Sequence, residues 1–498
     1  MLFEEFEDTK HAADAAGLFV RASGRYPLTA FGDINTYAIF AETFLDLTRP
    51  RGRSGLIVPT GILSDDTTKV FFQNLTSTHR LYGAISFENE EFLFSGIANV
   101  VRYTLLTMLG TGEESHQATY AFYIRRAEQI NEAERYFALS PKETALLNPN
   151  THTCPIFRSK YDAELTKQIY RRVPILIDEA KGEAGNPWRI SFLRMFDMAN
   201  DSSLFREPPW LAEHGGELHD MIWYMPDREQ YFPLYEAKFA WHYDHRFSSY
   251  HNYGKAKGRG GRGLPPVTIE EYADPHFRVQ PRYWVNETNI TDRVSSVGWQ
   301  HKWLLGWRDV TSAKLERTFV STVIPKCAVG DKFLLMFPGQ DPQKITALLA
   351  NLCSIPFDYI TRQKIGGIAM KYFTAKQLPV FPPEKYSTED FDFIMPRVLE
   401  MAYTAWDMKP FAEDLGYDGP PFPWHPERRA ILQAELDAYF ARLYGLTREE
   451  LRYILDPADI MGPHYPSETF RVLKERELSQ CGEYRTQRLV LEAWDRLG

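Results

Sequence analysis

Cationic residues are concentrated in one stretch of this 498-residue chain, although its net charge is −9. Between residues 238 and 282 four acidic residues stand against eight basic ones, which are Lys238, Arg246, Lys255, Lys257, Arg259, Arg262, Arg278 and Arg282. In the central run Tyr253–Gly263, YGKAKGRGGRG, glycines let the backbone approach a phosphate and cations displace its counterions. Aromatic residues flank this run on its amino-terminal side. The pattern predicts a loop that contacts nucleic acid, and the alternative is a solvated flexible loop.

A second pattern overlaps the first. Pro226-Asp227, followed by Glu236-Ala237-Lys238, satisfies the PD-(D/E)xK arrangement, in which two carboxylates hold Mg²⁺ and a lysine positions the attacking water. Such chemistry requires Asp227 and Glu236 on adjacent strands of one hairpin. Because the pattern is loose, nuclease activity is a minor alternative. No GxSxG elbow or P-loop occurs, and the histidines near residue 245 lack metal-ligand spacing.

Composition indicates an intracellular protein of several domains. A chain of this length with 44% hydrophobic residues exceeds what one core usually supports. The four cysteines are scattered, so neither a disulfide framework nor a zinc site is predicted. The sequence has no signal peptide and no apolar run long enough to span a bilayer. We therefore expect a cytoplasmic protein without a membrane partner.

The first hundred residues read as alternating helices and strands. Apolar residues recur at helical spacing from Ile34 to Leu47, and the buried strand Gly55–Val58 follows a Pro- and Gly-containing loop. The pattern continues with a helix around residues 70–75 and strands around Leu81–Phe87 and residues 100–109. These elements predict the closing half of a doubly wound α/β sheet with an antiparallel end.

The stretch Asp33–Gly61 resembles the later motifs of TaqI-like (gamma-class), type IIG and IIL adenine-specific DNA methyltransferases. In that family a glycine-rich loop for S-adenosylmethionine and an NPPY or NPPF tetrapeptide come first. Neither motif is in this sequence, where the nearest strings are Asn148-Pro149-Asn150 and Glu207-Pro208-Pro209-Trp210. The resemblance implies S-adenosylmethionine for the complete enzyme, a cofactor site expected before Met1, and no cofactor for this chain alone.

Two further strings resemble the signature that opens the target-recognition domain of these enzymes. Pro233–Lys238 is similar to PLYEGK, with Ala237 for Gly, and Tyr243–Phe247 is similar to FDHRF. The run Leu349–Pro383 resembles the end of the same domain. The resemblance implies double-stranded DNA as a partner, with contacts from Lys238, Arg246, Lys255, Lys257, Arg259, Arg262, Arg362 and Lys364.

One aromatic residue has a specific role by resemblance. In this family a base flipped out of the duplex is sandwiched by two aromatics, one of them from the loop before the late antiparallel strand. That loop is Glu90–Gly96 here, so Phe94 is the candidate and Phe92 the runner-up. The alternative for Phe94 is packing beneath the strand.

The end of the chain is predicted to be helical. Arg428–Tyr444 is amphipathic, and Thr447 with Glu450 forms a capping box for the next helix. The region resembles the C-terminal module of large type IIG and defence-associated methyltransferases. The predicted organisation is a partial Rossmann-like methyltransferase sheet in residues 1–112, a bridge in 113–205, an α+β target-recognition domain in 206–385 and a helical module in 386–498.

These expectations describe part of an adenine-N6 methyltransferase from a restriction-modification or phage-defence system of BREX or DISARM type. Its chemistry would require a separate N-terminal half or other defence-system subunits. The alternative is a stand-alone DNA-binding specificity module, or an inactive remnant.

Overall fold

The computed structural model describes residues 2–99, 101–252 and 264–498, which form two compact units. Unit 1 contains the chain up to Arg171 together with Met461–Glu468, and unit 2 contains Arg172–Ile460 and Thr469–Gly498. The predicted bridge, 113–205, is divided between them, whereas the predicted recognition domain lies wholly in unit 2. No helix in the described ranges has the length and apolar character to cross a membrane.

Unit 1 is a mixed α/β structure. Its elements are α1 (Leu2–Ala22), α2 (Thr36–Leu47), β1 (Arg53–Pro59), α3 (Gly61–Ser64), α4 (Lys69–Ser77), β2 (Leu81–Glu88), β3 (Arg102–Leu109), β4 (Ala118–Ile124), β5 (Phe137–Leu139), α5 (Pro141–Leu147) and α6 (Lys160–Arg172). The helices and strands predicted in the first hundred residues are therefore confirmed to within a few positions.

The five strands of unit 1 form one sheet in the order β1-β3-β2-β4-β5. Strand β3 runs antiparallel to both β1 and β2, β4 is parallel to β2, and β5 is antiparallel to β4. The predicted antiparallel strand, β3, therefore lies inside the sheet between β1 and β2 and does not end it. The structure thus shows a mixed α/β sheet in which β1 is an edge strand.

Local sequence explains how β1 is placed. Helix α2 buries Ala38, Ala41 and Leu45 and packs against β1. After β3 the chain turns at Gly110, whose amide donates to the carbonyl of Gly52 at 2.9 Å. A Cβ at Gly110 would lie only 1.8 Å from the carbonyl oxygen of Arg49, so glycine is required there.

Unit 2 contains two small sheets and a set of helices. The elements are β6 (Ser191–Leu193), α7 (Pro208–Glu213), β7 (Glu217–His219), β8 (Ile222–Tyr224), β9 (Gln230–Tyr235), α8 (Ile269–Ala273), β10 (Trp284–Asn286), α9 (Glu287–Ser295), β11 (Trp303–Arg308), β12 (Ser321–Pro325), β13 (Ala328–Val329), β14 (Phe333–Phe337), α10 (Pro342–Cys353), α11 (Ile355–Arg362), α12 (Tyr372–Lys376), α13 (Thr388–Ala402), α14 (Lys409–Asp414), α15 (Pro426–Leu443), α16 (Arg448–Leu455), α17 (Pro457–Met461), α18 (Arg471–Cys481) and α19 (Arg485–Arg496).

One sheet has the order β10-β9-β8-β7, with β13 parallel to β9, and the other has the order β12-β11-β14-β6. Trp284, Trp303 and Trp307 are fully buried in these sheets. The predicted amphipathic helix is α15. The predicted capping box opens α16, where Thr447 Oγ1 accepts from the Glu450 amide at 3.2 Å and Glu450 accepts from the Thr447 amide at 2.7 Å.

Candidate nucleic-acid interface

Strands from both sheets of unit 2 end at one place. The amide of Gly330 donates to the carbonyl of Tyr235, the last residue of β9, at 2.9 Å. Arg308, the last residue of β11, pairs with Phe333, the first residue of β14. A cavity of about 310 Å³ opens at this junction. Five charged side chains contribute to its lining: Glu236, Lys238, Arg308, Asp331 and Lys332.

Charges at this junction are arranged in two layers. The inner layer is Asp309 and Asp331, whose side chains are 2% and 6% exposed. Lys371 Nζ lies 2.7 Å from Asp309, while Lys332 Nζ and Arg194 Nη2 lie 2.9 Å and 2.7 Å from Asp331. These three cations are about half exposed. We define the cation cluster as Arg194, Lys238, Arg308, Lys332 and Lys371.

The neighbouring cations change the pKa of the buried Asp331. Burial alone would raise the pKa of Asp331, but its hydrogen bonds and charge interactions with Lys332 and Arg194 lower the pKa below its ordinary value. Asp331 therefore stays ionised and fixes both cations. Arg194 also pairs at 2.6 Å with Asp197, whose side chain is 24% exposed, so Lys332 and Lys371 are the cations that present positive charge to water in the outer layer.

Lys238, a predicted DNA contact, belongs to the cluster. Its Nζ lies 2.8 Å from Glu236 Oε2 and donates to the Tyr250 hydroxyl at 2.6 Å. Burial alone would lower the pKa of Lys238, but Glu236 and Tyr250 raise it, so the ammonium stays charged. Ala237, which replaces the glycine of the family signature, begins a short 3₁₀ turn without positive φ.

Arg308 is a member that sequence reasoning missed. Its guanidinium carbon lies 5.1 Å from the ring centroid of Trp241 and 5.3 Å from that of Phe247, and these two rings stack at 5.0 Å. Burial lowers the pKa of Arg308 to about 10, so it remains cationic at neutral pH. Two of the aromatics that flank the basic run thus position a cation at the cavity.

The same segment anchors both ends of the basic run. The amide of Val267 donates to the carbonyl of Phe247 at 3.1 Å, and Ser248 forms a bridge with Pro266. The Tyr250 bond to Lys238 places the departing chain next to the cation cluster. The predicted contacts Lys255, Lys257, Arg259 and Arg262 lie outside the described residues.

The structure corrects the prediction for Arg246, which is fully buried. Its guanidinium donates to the carbonyls of Asp274 at 3.1 Å, Phe277 at 3.3 Å and Thr404 at 3.0 Å. Because both terminal nitrogens bond to carbonyls in the interior, it cannot contact a phosphate in this conformation. Asp244 accepts from the Tyr272 hydroxyl at 2.6 Å. The FDHRF-like signature therefore ties the chain before the basic run to the chain after it.

Arg362 is likewise corrected. It is buried and donates to the carbonyls of Ala313, Leu315, Glu316 and Thr469 at 2.7–2.9 Å. A guanidinium engaged with four carbonyls in the interior holds the fold and does not reach a duplex. Lys364 is half-buried two residues later.

Asp358, within the run Leu349–Pro383, also has a structural role. Asp358, fully buried on α11, accepts from Arg317 Nε at 2.7 Å and from the amides of Thr318 and Phe319 at 2.9 Å and 3.2 Å. Burial alone would raise the pKa of Asp358, but the charges of Arg362 and Arg317 lower it. Nearby Asp437 has the opposite balance, because burial raises its pKa to about 6.

In unit 1, Phe94 follows the carboxyl end of β2, as expected. Its ring packs edge-on against Tyr103 with centroids 4.9 Å apart, and it is half-buried. The Asn89 side chain donates to the carbonyls of Phe94 at 3.0 Å and Ile97 at 2.9 Å, which holds the loop. Phe92 is 53% exposed with a left-handed backbone. Base stacking by either aromatic stays a prediction.

The nuclease arrangement is not supported by the geometry. Asp227 lies in the exposed turn between β8 and β9, whereas Glu236 follows the far end of β9. At about 3.3 Å per residue, the strand separates the two carboxylates by roughly 20 Å. One Mg²⁺ cannot bridge that distance. Within the described ranges no group of three or more potential ligands fits a metal ion.

Sequence reasoning found only Lys238 of the cluster. Arg194, Lys332 and Lys371 lie far apart along the chain, in segments without an unusual density of charge. The pairing of β14 with β6 and with β11 brings Arg194 and Lys332 together, and the bridge between Val310 and Ala369 places Lys371 beside Asp309. Sequence reasoning detects a run of basic residues within one segment, and none of these three residues belongs to such a run.

No protein-family model matches the chain, and no curated protein is significantly similar to it. Among solved structures, the type IIG restriction endonuclease BpuSI shares 13% identity over 86% of this chain and 50% of its own, with a TM-score of 0.29. The type IIL restriction-modification enzyme MmeI, in complex with DNA, shares 10% identity over 91% and 51%, with a TM-score of 0.35. The chain spans about half the length of each.

Proposed function

We propose that this chain binds duplex DNA and selects the site at which an adenine-N6 methyltransferase of a restriction-modification or defence system acts. The observation that carries the proposal is the cation cluster, whose outward layer lies beside the anchored ends of the basic run. Duplex DNA presents closely spaced phosphates, and binding through several cations gains free energy from counterion release.

The layered charges suit recognition better than a loose basic patch does. Lys332 and Lys371 are held over buried carboxylates, so they meet the phosphates in fixed positions and set the register of the protein on the duplex. The basic run, whose flanking chain is held by the FDHRF-like signature Tyr243–Phe247, would contact the groove. Base-specific contacts in the major groove would then give selectivity.

The catalytic part of the proposal rests on the family resemblance and on unit 1. Ligands of α/β sheets bind at the carboxyl ends of strands, and the Phe94 loop follows the carboxyl end of β2. Since this sequence contains neither the cofactor loop nor the NPP tetrapeptide, we propose that a partner supplies S-adenosylmethionine and orients the target amine.

Fluorescence anisotropy with a labelled duplex across a series of salt concentrations tests DNA binding. The variant with Lys255, Lys257, Arg259 and Arg262 all changed to Gln should show a shallower dependence of log affinity on log salt, by about 0.9 for each phosphate that is no longer neutralised. The control is Lys409→Gln, on α14. An affinity for DNA that does not change with salt would overturn the proposal.

Calorimetric titration with S-adenosylmethionine tests the division of labour. We expect no binding by the chain alone and methylation of adenine once the partner is present. Clear binding by the lone chain would refute the partner requirement. DNA binding with no methylation by any partner would instead leave the stand-alone specificity module.

A further inference from the structure

Three buried polar atoms at the junction of the two sheets of unit 2 make no hydrogen bond within the described part of the chain. They are Glu236 Oε1, Arg308 Nε and Asp331 Oδ1. Buried polar atoms of folded proteins are nearly always hydrogen-bonded to protein, to ordered water or to a ligand. Two acceptors and one donor left open at one junction therefore indicate that another molecule bonds them.

The same three side chains line one cavity. Glu236, Arg308 and Asp331 all contribute to the junction cavity of about 310 Å³. That volume lies at the lower end of the range for small-ligand sites, roughly 300–1,000 Å³. Lys238 and Lys332 also line it, with side chains that are 40% and 50% exposed. The apolar part of the wall is formed by Met198, Ala237 and Val310.

The charge state of these groups decides what they can bond. Asp331 is ionised, and its Oδ2 is held by Lys332 and Arg194, so that Oδ1 can only accept a hydrogen bond. Glu236 is arranged in the same way, since its Oε2 is paired and its Oε1 is not. Arg308 Nε can only donate. The ligand must therefore offer hydrogens to two carboxylates and an acceptor to one guanidinium.

An amino-substituted nucleobase meets these requirements. Its exocyclic amine has two hydrogens to donate, and the ring nitrogen beside the amine accepts. Cytosine, adenine and guanine carry this pair of groups, whereas thymine has carbonyl oxygens that would face the two carboxylates. A metal ion does not meet the requirements, because it offers Arg308 Nε no acceptor, and within the described ranges no group of three or more side chains fits one.

We infer that the junction cavity binds an amino-substituted nucleobase, whose amine donates to Glu236 and Asp331 and whose ring nitrogen accepts from Arg308. The phosphate of the same nucleotide lies at the opening, where Lys238 and Lys332 provide positive charge. This inference rests on the proposed function, because these lysines belong to the cation cluster that contacts phosphates there. The base is either one that leaves the stack of a bound duplex or part of a free nucleotide.

Calorimetric titration of the chain with dCMP, dAMP and dTMP tests the inference. We expect dCMP and dAMP to bind at least about tenfold more tightly than dTMP, because thymine leaves both carboxylates without a donor. Glu236→Gln introduces an amide that can donate to a thymine carbonyl, so the preference for dCMP over dTMP should disappear. Arg308→Lys keeps the positive charge but removes Nε, and it should weaken the binding of dCMP.

Glu435→Gln is the matched control. The side chain of Glu435 is 19% exposed and pairs with Arg397 at 2.8 Å, while that of Glu236 is 20% exposed and pairs with Lys238 at 2.8 Å. Glu435 lies on α15 and does not line the junction cavity. This variant should keep the preference for dCMP. Thermal melting of each variant shows whether it folds.

Two duplexes, one with a single unpaired cytosine and one with a single unpaired thymine, identify the source of the base. Binding of the cytosine duplex at least about tenfold more tightly than the thymine duplex assigns the cavity to a base of DNA. Equal binding of the two duplexes, together with binding of dCMP, assigns it to a free nucleotide.

The inference is overturned if the three nucleotides bind equally or not at all, since ordered water then fills the cavity. It is also overturned if folded Glu236→Gln keeps the wild-type preference. A wild-type chain that binds duplex with the expected salt dependence but does not distinguish dCMP from dTMP refutes this inference alone. Preference for dCMP without any binding of duplex refutes the proposed function alone.

Discussion

Neutralising two lysines of the cation cluster gives a quantitative test of DNA binding. Lys332 and Lys371 have side chains that are 50% and 48% exposed, above Asp331 and Asp309. In the double variant Lys332→Gln/Lys371→Gln two phosphates are no longer neutralised, while each Gln can still donate a hydrogen bond. Asp331 keeps Arg194 at 2.7 Å, but Asp309 loses Lys371 at 2.7 Å and Lys332 at 4.0 Å, so we expect a lower melting temperature than that of wild type.

The magnitude follows from counterion release. Each phosphate contact contributes about 0.9 to the slope of log affinity against log salt, so two contacts contribute about 1.8. Between 50 and 200 mM salt, a fourfold change, the affinity ratio of wild type to variant should therefore shrink by about 4 raised to the power 1.8, or roughly 12-fold. The variant is weak at low salt and approaches wild type at high salt.

The assay is anisotropy on one duplex at five or more salt concentrations, with thermal melting of each protein. Lys409→Gln is the matched control, since its side chain is 48% exposed and pairs with Glu413 at 3.4 Å. Lys409 lies on α14, and Asp414 of that helix accepts a hydrogen bond from Trp303 Nε1 at the start of β11. Trp303 is about 17 Å along the strand from Arg308, so the control lies away from the cluster. Equal slopes for the double variant and wild type, measured below the melting temperatures of both, would refute the role of the cluster.

Three further outcomes follow from buried groups. His245 lowers the pKa of Asp407 to about 2, compared with about 3.9 in the unfolded chain. The ionised carboxylate therefore stabilises the fold by about 2–3 kcal/mol above about pH 3.9, and this contribution is lost as the pH falls towards 2. Asp407→Asn should therefore lower the melting temperature at pH 7, and its deficit should vanish in acid. Asp358→Asn should destabilise the fold by about 3–5 kcal/mol because it breaks a buried ion pair. Asp437→Asn should instead raise the melting temperature at pH 7, since the raised pKa of Asp437 means that the fold disfavours its ionised form. Equal effects of the two substitutions on the melting temperature would contradict these opposite pKa shifts. Asn89→Ala should speed hydrogen exchange at the Phe94 amide without a large change in melting, and unchanged exchange would show that the loop does not depend on Asn89.

Local structure was predictable wherever neighbouring residues decide it. The spacing of apolar residues around Phe40 and the capping box at Thr447 predicted α2 and α16, because helix periodicity and end capping involve residues a few positions apart. The positions of β1, β2 and β3 were predictable for the same reason, whereas β4 and β5 were not predicted. The place of β3 between β1 and β2 was not, since strand order depends on which distant segments pair.

Motifs located the candidate site but did not assign every residue in it. Lys238 lies in the cluster, whereas Arg246 and Arg362, cations in equally suggestive strings, are buried among backbone carbonyls. A sequence records that a side chain is charged but not whether distant carbonyls enclose it. That depends on packing between the strands and the helices that follow.

The sequence by itself determined the helices and strands between residues 34 and 109, the helices α15 and α16, and a concentration of positive charge around residues 238–282. Only the tertiary structure decided which cations face water, and it added Arg194, Lys332 and Lys371 from separate segments. It also showed that β1 is an edge strand of its sheet, with Ile57 on the strand and Phe44 on α2 both exposed. The physical reason is that periodicity and capping act between near neighbours, whereas burial, ion pairing and strand pairing join residues that only the folded chain brings together.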